Sequence, residues 1–448
     1  MPTRRAFLGS ISLPAALALG IGPPVLAIPS RSVLRELATP HPSPEEAARD
    51  EDYWSGVARC YTQDRSIINL NNGGVSPAPL SVQDAMKRHL DHANAMPPPM
   101  VLFHDEPPRK DALRARLATA WGIDPEEVAI TRNASESLQT CQLGLDLTPG
   151  DEILCCTQDY PRMINTFKQR CRREGLILTQ ITLPTPATDP DVIVRLYEQA
   201  VTPRTRLILV SHMIFHTGQV LPVREIVAMA RRRNGGIPVI VDGAHALAHL
   251  DFTIAELDCD YYGASLHKWL CAPHGTGLLY VRREKIAALW PLMAADENQT
   301  ADIRKFEEIG THPTANFLAI AEALDLHQAI GAARKQARLT YLRDRWASRF
   351  LPGSEQHSGA RPVRFHTPLK PGPDGQALSC AIATFEIEGI DPPKIVEHLW
   401  EKHRILVTQV RTDEFSGVRV SPNVYTSPES IDRFADAIER VRRNGLPT

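Results

Sequence analysis

Residues 206–212, RLILVSH, and 238–243, PVIVDG, are short apolar runs rich in β-branched residues, and 223–235 between them, VREIVAMARRRNG, reads as a helix. Strand, helix and strand in that order predict a parallel crossover, and runs this apolar suit strands covered on both faces. Working outward, the texture repeats. EEVAIT, DEILCC and LILTQITL lie upstream, with the helical stretches SESLQTCQLGLDL and MINTFKQRCRREG among them; CDYYGAS and GTGLLYVRR follow downstream. The expected fold class is therefore α/β, with a large, mostly parallel sheet.

Residues 317–350 read as one or two long helices, after which the pattern changes. LSCAIATFEIEG, RILVTQV and VRVSPNVY are strands with helices between them, which predicts a smaller α+β domain. Residues 66–79, SIINLNNGGVSPAP, read as a short strand running into a Gly-Pro turn. The expected boundaries are an export signal over 1–27, an N-terminal arm joining the small domain over 28–75, a large domain over 76–330 and a C-terminal small domain over 331–448. A chain of 448 residues is too long for one small core, so two domains are the natural expectation.

The net charge of −2 with no basic block sets nucleic acid aside as a partner. Eight scattered cysteines without a CxxC pair argue against a zinc site or a disulfide framework. The chain begins MPTRRAFLGSISLPAALALGIGPPVLAIPS. Arg4 and Arg5, a weakly apolar run, and the small residues Val25 and Ala27 resemble a bacterial twin-arginine signal cleaved after Ala27, against the plainer reading of a mildly basic terminus. Export by the twin-arginine translocase after cytoplasmic folding implies a periplasmic protein and would reconcile reduced thiols with an oxidising compartment. No later apolar run is long enough to span a bilayer.

Lys268 is the residue that raises a chemical question. It lies in YYGASLHKWLCAP, 261–273, among small and apolar neighbours, where an ammonium group is costly. Its stem could simply snorkel to solvent, or its amine could be consumed in a covalent bond. Asp242 ends a very apolar strand with His245 three residues on; it is either a cap or ion-pair member, or a carboxylate awaiting a cation. At AITRNASESL a strand gives way to a helix, and Asn133, Ala134 and Ser135 stand at its start. That is an ordinary N-cap or a phosphate site. In open α/β sheets ligands collect at the carboxyl ends of strands, where all these residues fall. An aspartate at one strand end and Ser-x-His-Lys after a later strand is the set that pyridoxal 5′-phosphate chemistry requires: an amine for the aldehyde, a carboxylate for the ring nitrogen, and donors for the phosphate.

NLNNGGVSPAP, TRNASESL, SHMIFHTGQVLPV, VDGAHA, SLHKW, GTGLLYV, EEIGTHP and RVSPNVYTS occur in that order over roughly residues 65–430. Together they resemble the class V aminotransferase superfamily, and within it the isopenicillin N epimerase-like branch. The resemblance implies a pyridoxal phosphate-dependent transferase fold of the aspartate aminotransferase type. It makes Lys268 the Schiff-base lysine and proton shuttle, pairs Asp242 with the pyridine nitrogen, and places His245 near the phenolic oxygen. Ala134, Ser135, Ser265 and His267 would bind phosphate, and Tyr160 would stack on the ring. Gly310 and Thr311 match a pair that reaches the neighbouring subunit's phosphate, which implies a homodimer. Arg419 would clamp the α-carboxylate of a small amino-acid substrate, its fork suiting that group. Asn72 and Gly73 would approach the substrate, and His212 and His216 would line the site.

The superfamily includes transaminases, epimerases, β-lyases and cysteine desulfurases. Desulfurases resembling this group carry a cysteine shortly before the carboxylate-binding arginine; ILVTQVRTDEFSGVRVS has none, and Cys380 lies well upstream. The expectation is an aminotransferase or epimerase acting at an α-carbon. Combined with export, the alternative is a periplasmic enzyme that modifies an amino-acid group of a secreted natural product, as relatives resembling this chain do on a siderophore glutamate. A non-catalytic binding protein is the remaining reading, and the retention of Lys268, Asp242 and Arg419 argues against it.

Overall fold

The structure, a computed structural model, describes residues 31–39, 41, 43–351 and 359–447. The expected export signal lies outside the described residues.

All seven anticipated strands of the large domain form one sheet. They are β1 (Val128–Thr131), β2 (Glu152–Cys156), β3 (Ile177–Ile181), β4 (Thr205–Ser211), β5 (Val239–Asp242), β6 (Tyr261–Ser265) and β7 (Gly277–Val281), in spatial order β1-β7-β6-β5-β4-β2-β3. The neighbours from β6 through β5, β4 and β2 to β3 pair in parallel, and only β7 runs antiparallel, against β6 and β1. The five parallel strands thus present their carboxyl ends along one edge. Six of the seven strands are buried along almost their whole length because helices cover both faces; β3, at the sheet's margin, is only half-buried. Separate apolar clusters fill the two sides, one around Trp269, Tyr262 and Val241 and the other around Phe167, Leu138 and Ile240.

Two helices matter to the site. α1 (Ala134–Gly144) begins just after β1, with Asn133 Oδ1 accepting the Glu136 N–H at 2.9 Å. Gly277 of β7 allows that start to sit close, since a Cβ there would lie 2.7 Å from the Asn133 backbone. α2 (Pro161–Glu174) follows β2, and its amphipathic face buries Met163, Ile164 and Phe167.

The long helical stretch divides at Gly331 (φ 85°), a conformation that glycine adopts without strain, into Ile320–Ile330 and Ala332–Ala347. The small domain has an antiparallel sheet of β8 (Val363–Phe365), β9 (Ala383–Ile387), β10 (Thr408–Arg411) and β11 (Ser416–Val420), in the order β10-β11-β9-β8. Its core gathers Trp346, Phe385 and Phe434. Within 28–75, residues 68–69 pair in parallel with 405–406 of the small domain, while Trp54 and Val57 pack into the large-domain core. The arm therefore touches both domains. Among the described residues, no helix is long and apolar enough to cross a membrane.

Candidate active site

A cavity of about 750 Å³ opens where the carboxyl ends of β4, β5 and β6 meet the small domain. Lys268, Asp242, His245, Ala134, Ser135, Tyr160, Ser265, His267, Gly73, His216 and Arg419 all line it. The chain brings these together from seven separate stretches of sequence.

Lys268 Nζ lies 3.0 Å from His245 Nε2. The lysine is part-exposed toward the cavity, yet protein surrounds its amine closely enough to move its pKa down to about 8. Burial is the main cause; Arg419 adds to the depression and Asp242 opposes it. The snorkelling alternative does not describe this residue. His245 is buried and held neutral, first by burial and then by the lysine charge. Its Nδ1 has no hydrogen-bond partner among the described residues.

Asp242 is buried at the end of β5, where Oδ1 accepts the Ala244 N–H at 3.0 Å. Burial raises its pKa, and the Ala244 hydrogen bond and the Lys268 charge pull it back. Ser265 ends β6, and its Oγ accepts the Ala134 N–H at 3.0 Å, which joins the last turn before Lys268 to the start of α1. The serine's own proton is left free to point elsewhere. His267 approaches the Thr276 carbonyl through Nδ1 at 3.2 Å, and burial lowers its pKa to about 4.

Tyr160, 39% exposed, meets Phe215 edge-on at 5.2 Å between ring centres. Arg419 stands on β11 opposite Thr408 and donates through Nη1 to the Phe215 carbonyl at 2.9 Å and through Nη2 to Asn71 Oδ1 at 3.1 Å. Burial brings its pKa down to about 10. Its Nε, like His216 Nδ1, is a buried polar atom with no partner among the described residues. A cavity edged by unpartnered donors and imidazoles, with a buried carboxylate at one end and a helix start at the other, fits an anionic ligand that also carries a basic ring nitrogen. Pyridoxal phosphate has both features.

Several expected residues are placed differently. Asn72 does not reach the cavity: its Nδ2 donates to the Asn69 and Ser421 carbonyls at 3.1 and 3.0 Å, and its Oδ1 accepts the Tyr425 hydroxyl. Its neighbour Asn71 holds Arg419 instead, a choice between adjacent asparagines that the sequence could not make. His212 is buried behind the site, edge-on to Phe252 at 4.5 Å with Nδ1 3.4 Å from the Tyr262 hydroxyl, because its backbone continues the β4–β5 ladder. His216 is the histidine of that segment that lines the cavity. Gly310 and Thr311 are exposed and lie outside the lining of this chain's own cavity. Phe215, Met213 and strand β10 also line the walls; they are apolar or strand residues whose sequence shows no sign of the role. No cysteine lines the cavity, and among the described residues no cluster of His, Cys, Asp and Glu could hold a metal.

Known proteins resemble the chain over most of its length. The Aminotransferase class-V family model matches residues 68–366. The isopenicillin N epimerase of Streptomyces clavuligerus is 32% identical over 84% of this chain and 95% of its own length. The isopenicillin N epimerase of Amycolatopsis lactamdurans is 31% identical over 87% of this chain and 99% of its own. Among solved structures, a C-DES variant with glycine covalently linked to its PLP cofactor aligns with a TM-score of 0.71 at 23% identity, covering 84% of this chain and 99% of that one.

Proposed function

The chain belongs to the class-V aminotransferase family and uses pyridoxal phosphate, and on that footing we propose that it acts at the α-carbon of an amino acid or amino-acid moiety, as an epimerase or an aminotransferase, with Lys268 carrying the cofactor. The observation that carries this reading is the placement of Lys268, Asp242, His245 and Arg419 around one cavity. Bound pyridoxal phosphate supplies an aldehyde for amines and an electron-accepting ring that stabilises negative charge at the substrate α-carbon.

The residues divide the rest of the work. Lys268 offers a neutral amine at mildly alkaline pH because burial disfavours its charge. Its Nζ would serve as the base that takes the proton from the substrate α-carbon and returns it. Asp242 would pair with the protonated ring nitrogen, a cation that would relieve the cost of its own burial. His245 sits beside the amine as a neutral imidazole. The Ser135 N–H, the Ser265 hydroxyl and His267 would hold the phosphate at the α1 start, where the helix dipole favours negative charge, beside Ala134, whose own N–H is taken by Ser265 Oγ. Tyr160 would cover the ring, Arg419 would orient the α-carboxylate, and Gly73 would approach the substrate.

Purified protein and a Lys268→Ala variant are compared by visible absorption, before and after adding a panel of amino acids. A visible band lost in the variant, and shifted by particular amino acids, is expected. A native protein that cannot be loaded would refute the reading.

Two further proposals accompany it. The exposed Gly310–Thr311 loop and the exposed Leu90, Met96, Met100 and Phe103 (72%) support a homodimer with shared sites; sedimentation equilibrium should give twice the chain mass. The Arg4–Arg5 start supports twin-arginine export and periplasmic modification of a secreted natural product. Deleting the protein should then change the exported metabolites seen by mass spectrometry, and a protein that stays in the cytoplasm would contradict it.

A further inference from the structure

One buried carboxylate next to the cavity is not used by the chemistry above. Asp159, 1% exposed, sits in the turn between β2 and α2, immediately before Tyr160. Its Oδ2 accepts the Cys156 N–H at 2.8 Å, and its Oδ1 accepts both the Ser211 N–H at 3.0 Å and the Ser211 hydroxyl at 2.6 Å. Ser211 lines the cavity and stands opposite Asp242 in the parallel register of β4 and β5. Asp159 thus ties together two strand ends that border the site.

Among the described residues no cationic side chain is bonded to it. The titratable groups facing it are Asp242 of β5, Cys155 and Cys156 of β2, and Tyr197 of the helix Pro190–Ala200. Its pKa is raised to about 6: burial drives the rise, the hydrogen bonds from Ser211 and Cys156 oppose it, and Asp242 adds to it. Three donors in a turn could be satisfied by a neutral acceptor at lower desolvation cost. A carboxylate here does something that a neutral group would not.

Resting on the reading of the cavity as a pyridoxal phosphate site, we propose that Asp159 is a positioning residue of that site, locking the turn that carries Tyr160 onto the end of β4 and placing a second negative charge beside Asp242. The lock sets where the tyrosine ring can sit over the cofactor. The added charge makes Asp242 hold a protonated ring nitrogen more firmly, because two neighbouring carboxylates share the benefit of one proton.

The test compares native protein, Asp159→Asn and Ser211→Ala for pyridoxal phosphate affinity by equilibrium dialysis, for the pH midpoint of the visible band, and for thermal unfolding. Asp159→Asn keeps the shape but removes the charge. Its affinity should fall about tenfold and its band midpoint move to lower pH by about one unit, the size of one lost charge interaction. Ser211→Ala, which removes only the hydroxyl bond, should move both in the same direction by less. Variants that lose thermal stability but keep native affinity and midpoint would show a structural role and overturn the assignment. If Asp159→Asn does not fold, Ser211→Ala decides by the same criterion. A native protein that takes up no pyridoxal phosphate brings down the cavity reading and this assignment with it; native loading matched by both variants overturns the assignment alone.

Discussion

The two walls of the cavity are built in different ways. The large-domain wall draws Asp242, His245, Ser265, His267 and Lys268 from one short stretch of sequence, each at or just beyond a strand end. The small-domain wall rests on Arg419, whose guanidinium is held by the Phe215 carbonyl from the large domain and by Asn71 from the arm. Parallel neighbours in one sheet fix the first wall, so its geometry is local. The second exists only while three distant parts of the chain stay docked. The large-domain loop 157–158 adds to that docking, since Gln158 Nε2 donates to Glu414 of the small domain at 2.8 Å and Thr157 bonds the same carboxylate. Substitutions in the first wall should therefore damage the chemistry, and those in the second should chiefly damage substrate binding.

Lys268→Ala should have the largest effect, removing the visible band and lowering turnover by about 10⁴-fold or more, the upper end for a positioned proton-transfer group. Asp242→Ala should follow, with turnover reduced roughly 10²–10³-fold and weaker cofactor retention, since one charge-assisted contact of about 2–4 kcal/mol is lost. Steady-state kinetics of the loaded variant checks this. Arg419→Lys should raise KM about 10–100-fold with a smaller change in kcat, because a lysine cannot reproduce the fork. A variant that lost kcat instead would break the division between the walls.

The adjacent asparagines sharpen it further. Asn72→Ala should cost stability of about 2–3 kcal/mol in denaturant unfolding, because it strands buried partners. Asn71→Ala should leave stability nearly unchanged and raise KM only a few-fold, on the order of one lost hydrogen bond. The smallest effect is one of pH. Loading of the apo protein should quicken as pH rises through about 8, where the Lys268 amine loses its proton, since burial first and Arg419 second depress its pKa. Loading that slows over the same range, followed by stopped-flow absorption, would contradict the assigned amine.

The strands of the large sheet were legible because buried parallel strands must be apolar along their length and must end in a turn, and RLILVSH and PVIVDG do both. Lys268 and Asp242 were legible for the converse reason: a charged residue at the end of such a run needs a partner. His212 and His216 were not distinguishable. Both lie just past β4, and only the ladder bond from the His212 N–H to the Asp242 carbonyl turns the first ring inward while the second reaches the cavity. Asp159 was hidden because an aspartate in a turn is ordinary, and its partner Ser211 lies in a different strand.

By itself the sequence determined what local chemistry controls: an alternating strand and helix order, a lysine and an aspartate at strand ends, and a helix start near them. Tertiary structure alone decided which of two asparagines meets Arg419, which of two histidines faces the cavity, and that Gly310 and Thr311 stand away from it. The reason is physical. Periodicity and burial cost are written residue by residue, whereas hydrogen bonds between the two domains depend on how they dock, and a shift of one residue exchanges a ligand-facing side chain for a buried structural one.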